Sequence, residues 1–95
     1  MNGVSFTPAS IEDIGDIWDY TATMWGIDQA DYYINNIRDC CSDLASGRKR
    51  GRTVPVRSGY LKYAVGKHLI FFLKTEDGIL VVRILHQSMD VEIHM

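Results

Sequence analysis

Four residues near one end of the sequence, Arg83, His86, Met89 and Asp90, set a fixed cation, a titratable imidazole, a thioether and a carboxylate within one short stretch. A guanidinium and an imidazole are the groups that steady a developing anion and move a proton. A flexible methionine beside a carboxylate suits an adaptable binding contact instead. The residues before them, Ile79 to Leu85 (ILVVRIL), form a near-unbroken apolar run rich in β-branched side chains. That run reads as a strand buried on both faces or nearly so. A buried strand that delivers polar residues at its end is a common way for a small protein to present a site. Arg83 has two readings, a structural pair with Asp90 or a partner contact. His86 is either a satisfied, half-buried imidazole or a contact residue.

A second set of candidates is basic. Residues 48–75 carry Arg48, Lys49, Arg50, Arg52, Arg57, Lys62, Lys67 and Lys74 and no acid, whereas residues 1–47 carry eight acids and one base, Arg38. The net charge of −2 conceals this partition. It points to an anionic partner, nucleic acid or an acidic protein segment, unless the cations are simply solvated. A sequence pI near 5.8 argues against DNA binding by this chain alone.

The elements that must position these groups can be read in order. Thr7-Pro8 is an N-cap followed by a proline at the first helical position. Ile11, Ile14, Trp18 and Trp25 recur at helical spacing, with Glu12, Asp13, Asp16 and Asp19 expected on a solvated face. Gly26 is the expected left-handed cap, and Asp28 the cap of a second helix whose inward stripe is Ala30, Ile34, Ile37, Cys41 and Leu44. So short a connection folds the two helices into an antiparallel hairpin. Gly47 closes the second helix, and Pro55 between Val54 and Val56 marks a strand edge. Tyr60 to Val65 alternates, Gly66-Lys67 fits a two-residue turn, and His68–Lys74 and Ile79–Leu85 complete a meander. The expectation is one α+β domain over residues 1–95, in the order β-α-α-β-β-β, with a helical hairpin on a small antiparallel sheet.

No run approaches the 18 or so apolar residues of a membrane span, and no secretory signal is read. Cys40 and Cys41 are adjacent, cannot form an ordinary disulfide with each other, and fit a reducing cytoplasm. The three histidines have no ligand spacing to them, so neither a metal nor a cofactor is expected.

Pro8-Ala9, the run Ile17-Trp18-Asp19-Tyr20, Trp25-Gly26, GYLKYAVGKHLIFF from Gly59 to Phe72 and RILHQSMD from Arg83 to Asp90 together resemble the ParE branch of the ParE/RelE toxin superfamily. The resemblance implies a toxin of a type II toxin–antitoxin pair that acts on DNA gyrase and is neutralised by a ParD-like antitoxin. The superfamily also contains ribosome-dependent mRNA nucleases of RelE type, and Arg57, Lys62, Arg83 and His86 are the groups here that could take such roles. No tyrosine follows Tyr63, however, and the tail offers Met89 and Asp90, a carboxylate that would repel a scissile phosphate. A binding inhibitor without catalytic residues is therefore the expectation, with an RNA nuclease and a non-toxic interaction module as the alternatives. Arg83, His86, Met89 and Asp90 are the candidate target contacts. Trp25, Arg48, Lys49, Arg50, Arg52, Arg57, Tyr60 and Lys62 are the candidate antitoxin contacts.

Overall fold

The structure, a computed structural model, describes residues 3–89. A first strand, β1 (Gly3–Phe6), runs into Thr7, whose extended backbone and side-chain oxygen cap the helix α1 (Pro8–Trp25) by accepting from the Ser10 N–H at 3.1 Å. Gly26 alone joins α1 to α2 (Ile27–Ser46): its N–H donates to the Ala22 carbonyl and its own carbonyl accepts from Ala30. Gly26 has φ +97° and ψ 162°, so it needs glycine but lies outside the left-handed helical region expected of it. Asp28 sits in the first turn of α2 rather than capping it, because Gly26 already occupies the cap. Gly47 ends α2 with the expected left-handed geometry, φ +84° and ψ 4°.

Beyond it come β2 (Arg52–Thr53), β3 (Leu61–Val65), β4 (His68–Lys74) and β5 (Gly78–His86). The strand order is β1-β5-β4-β3-β2. β1 lies parallel to β5 and the other pairs are antiparallel, so the sheet is mixed and not purely antiparallel as expected. The stretch expected as a strand around Pro55 is shorter than its apolar residues suggest. Val54 leaves the sheet, its N–H bonded to the Tyr60 carbonyl, and the chain turns back through Arg57.

Both helices cover one face of the sheet. Ile17, Ile34, Ile37, Cys41 and Leu44 meet Ile70, Phe72, Ile79, Val81 and Ile84 there, with Ile14 and Trp18 packed alongside. Ile11 is exposed, against expectation, because the first turns of α1 turn Ser10 and Asp13 inward instead. Trp25, at the hairpin tip, is also exposed. The opposite face carries a smaller cluster, Val54, Phe71 and Leu85, flanked by Tyr60 and Leu69 under the loop between β2 and β3. The strand β5 is thus covered on the helix side and only in part on the other.

Two glycines are fixed by close approach. Gly66 (φ +56°) lies against the Tyr33 ring, and with Lys67 it closes the two-residue β3–β4 turn. Gly78 pairs with Gly3 in the β1–β5 register, and a Cβ at Gly78 would fall on the Gly3 backbone. Gly78→Ala therefore forces β1 off its register. The expected cost is roughly 1–3 kcal/mol, as for other overpacked sites, seen as a fall of about 5 °C or more in thermal midpoint. An unchanged midpoint would mean that β1 is not held where the register places it.

Candidate functional site

The strand β1 ends opposite Val81, so β5 outruns its neighbour from Val82 onward. Side chains from the next element take over the open edge. The Thr7 N–H donates to the Val81 carbonyl at 3.0 Å and the Thr7 hydroxyl to the Val82 carbonyl at 2.7 Å. The Asp13 carboxylate then accepts from the Ile84 N–H at 2.9 Å. The same carboxylate takes both prongs of Arg83, Nε at 2.7 Å and Nη2 at 2.8 Å. That bond lifts the Arg83 guanidinium further above its ordinary pKa, so it is a permanent cation. Val82 is the extra residue in a bulge, since Phe71 pairs with Arg83 and Phe72 with Val81.

Asp13 is buried, not solvated as its acidic neighbours suggested, and it pairs with the residue that the sequence offered to Asp90. Asp90 lies outside the described residues. The readable signal was spacing: Asp13 stands four residues before Ile17, on the helix face that carries Ile14 and Ile17.

Beside this node, His68 and His86 stand opposite each other on β4 and β5, ring centroids 5.4 Å apart. The Tyr33 hydroxyl lies 2.6 Å from His68 Nδ1 and accepts from the Lys67 N–H at 3.1 Å. His86 Nδ1 lies 3.2 Å from the Ser88 N–H, which donates to it, and 2.8 Å from the Ser88 hydroxyl. Burial, then the neighbouring His86, push the His68 pKa below its ordinary value, against a smaller opposing pull from Asp13. Gln87 ties the end of β5 to the β3–β4 turn through bonds to the Lys67 and Gly66 carbonyls, so the tail begins later than the sequence implied.

Arg83, His86 and Met89 do come together. With Asp13, Asp16 and His68 they line a shallow depression of about 170 Å³ between α1 and β5. A larger hollow of about 430 Å³ between Leu44–Gly47 and Lys74–Ile79 contains none of the candidate target or antitoxin contacts. Sequence reasoning missed Asp13, His68 and Tyr33 as members of this cluster.

The basic candidates divide. Arg52 pairs with Lys62 across β2–β3, and Lys62 faces Phe71 on the side away from the helices. Lys49 is held within the chain, 3.6 Å from Asp43 and 5.5 Å from the Tyr63 ring centre. Arg48 and Arg50 are exposed, and Arg57 and Tyr60 belong to the loop that covers the second cluster. Trp25 is not with them. It stands at the far end of the 20-residue helix α2, about 30 Å from the basic loop at the helical rise per residue. The groups weighed for RNA cleavage do not converge either, because Lys62 and His86 lie on opposite sides of the sheet.

Burial pushes the Cys41 thiol up to about 12, and Cys40 is buried beside it, so both serve as packing residues. No group of three or more potential metal ligands occurs among the described residues. No helix among them is long and apolar enough to cross a membrane.

A helical hairpin on one face of a five-stranded mixed sheet, with a site at the end of the inner strand β5, defines a small α+β protein of the RelE/ParE-like fold. A solved structure named as the chromosomal ParDE TA system from P. aeruginosa superposes with a TM-score of 0.78 at 18% identity, covering 90% of this chain and 96% of that one. Residues 4–91 match the family described as the ParE toxin of type II toxin-antitoxin system, parDE. Toxin ParE1 of Mycobacterium tuberculosis is 38% identical over 88 residues, 90% of each chain. Toxin ParE1 of Caulobacter vibrioides is 31% identical over 84 residues, 87% of this chain and 86% of that one. The chain belongs to the ParE toxin family, and it is a toxin of a type II toxin–antitoxin system.

The depressed His68 pKa carries a sign. Unfolded, the imidazole binds its proton near pH 6.5; folded, it does so only at lower pH. Stability is therefore lost as pH falls from that value toward the folded pKa, since the unfolded chain takes up the proton first. The thermal midpoint of the native sequence should fall between pH 7.5 and 5.5 by more than that of His68→Gln. Equal falls would assign the pH dependence to other groups.

Proposed function

We propose that this toxin acts in the cytoplasm by binding DNA gyrase, without catalysis of its own, and that a ParD-like antitoxin silences it by folding onto the sheet face opposite the helices. The observation that carries the antitoxin reading is that this face is covered only in part, by the loop between β2 and β3. Leu69, Leu73 and Leu80 lie there half-buried beside Phe71, and the cations of Arg52 and Lys62 border them. An apolar strip with a basic border suits an amphipathic, acidic segment that orders as it binds. The gyrase reading rests on family membership, and the separation of Lys62 from His86 supports binding over RNA cleavage.

Purified toxin should inhibit supercoiling by gyrase and trap cleaved DNA, and it should leave ribosome-bound mRNA intact. Intact gyrase activity together with mRNA loss would replace this reading with the nuclease one. Association with the antitoxin should slow as salt rises, and Arg48→Glu/Arg52→Glu/Lys62→Glu should slow it by about tenfold or more at low salt. Rates indifferent to both salt and reversal would remove the basic face from the interaction.

A further inference from the structure

Strand register brings together two histidines that no spacing in the sequence announces. His68 opens β4 and His86 closes β5, directly opposite each other, and both line the depression. Their ring centroids are 5.4 Å apart and their planes meet at 83°. Each Nδ1 already has an oxygen beside it. The Tyr33 hydroxyl is 2.6 Å from His68 Nδ1 and has the Val65 carbonyl, at 3.3 Å, for its own proton. The Ser88 hydroxyl is 2.8 Å from His86 Nδ1. Neither Nε2 has a hydrogen-bond partner among the described residues. No buried side-chain nitrogen there lacks a partner, so both Nε2 atoms reach solvent.

Paired imidazoles with Nδ1 tied to oxygen and Nε2 open are a donor set for a late transition-metal dication. The separation fits such an ion. Two imidazoles that share one tetrahedral zinc ion, at Zn–N distances of about 2.0–2.1 Å, have ring centres roughly 5 Å apart. The strands therefore hold the rings at ligating distance, and what remains is to turn one ring until the two Nε2 atoms converge. That turn falls to His86, because Ser88 lies in the exposed turn after β5 and can follow it, whereas Tyr33 holds His68 against the β3–β4 turn. The Ser88 N–H then gives up its 3.2 Å bond to His86 Nδ1, and the Ser88 hydroxyl accepts the ring proton instead. Charge favours the ion as well. Burial, then the neighbouring His86, lower the His68 pKa, so its lone pair is free at neutral pH. Arg83, at the same depression, is already held by Asp13, and Asp16 adds an exposed carboxylate there.

We propose that His68 and His86 form a two-imidazole zinc site at the depression between α1 and β5, with water completing the coordination. No third cysteine, histidine or carboxylate is grouped with them among the described residues, so the ion is exchangeable and not a permanent part of the fold. Once bound, it ties the end of β4 to the end of β5 just before Gln87 and sets a dication beside Met89. The site stands apart from the gyrase and antitoxin readings and needs neither.

The test titrates the full chain, untagged and stripped of metal, with zinc chloride, read by calorimetry and by thermal midpoint. One zinc ion should bind per chain and raise the midpoint. His68→Gln and His86→Gln should each weaken binding by about tenfold or more. His94→Gln, which alters the third histidine outside the described residues, should leave binding unchanged. A second measurement needs no variant and so holds even where a substitution disturbs the strand pair. Copper(II), which favours the same donors, is added in small amounts to the unaltered chain while the histidine ring protons are followed by NMR. Those of His68 and His86 should broaden first and together. Zinc binding that survives either glutamine substitution, broadening centred on His94, or the absence of saturable binding would overturn the proposal.

Discussion

An inner strand of a sheet that outruns one neighbour exposes backbone donors and acceptors on an apolar background, where each unpaired group costs about 1–3 kcal/mol. The strand β5 meets this constraint from Val82 onward, and Thr7 and Asp13 resolve it by placing side-chain groups where the next strand would have been. Asp13 does more than fill the gap. Its second oxygen and the shared one hold Arg83, so one carboxylate fixes the α1 helix, the edge of β5 and the only cation of the C-terminal segment among the described residues. A buried carboxylate is costly unless fully paired, and here three N–H groups surround it. The position of α1 over the sheet, and with it the depression between Asp16 and Met89, follows from that node.

The polarity of the chain is arranged around the same frame. The hairpin carries acids on its outer side, while cations border the strands β2 and β3 on the far side of the sheet. Lys49 is the exception within the basic tract, since Asp43 and Tyr63 engage it inside the molecule.

Much of the architecture was legible because periodicity reports burial. The α2 stripe, the Gly47 cap, the Gly66-Lys67 turn and the three-stranded meander all follow from local patterns that the packing reinforces. The parallel pairing of β1 was not legible, since four residues fix neither partner nor direction and the register rests on Gly3 meeting Gly78. Asp13 was misread for a related reason. Its acidic neighbours Glu12, Asp16 and Asp19 suggest a solvated face, and only the open strand edge, a tertiary feature, makes a buried carboxylate favourable there. Of the C-terminal candidates, Arg83, His86 and Met89 do gather in one place, because the Asp13 carboxylate holds the Arg83 guanidinium at the depression that His86 and Met89 also line. Their partners His68 and Tyr33 come from β4 and α2, too far along the chain for any spacing to announce.

The claim that Asp13 organises the fold is most directly tested by a double-mutant cycle on Asp13→Ala and Arg83→Met, read by denaturant unfolding. If the node is as described, the two changes are non-additive by about 1–3 kcal/mol. Asp13→Ala costs clearly more than Arg83→Met, because it also strands the Ile84 N–H and removes the bidentate acceptor of Arg83, whereas methionine keeps the apolar stem. Additivity within about 0.5 kcal/mol, or an Arg83→Met loss as large as that of Asp13→Ala, would contradict it.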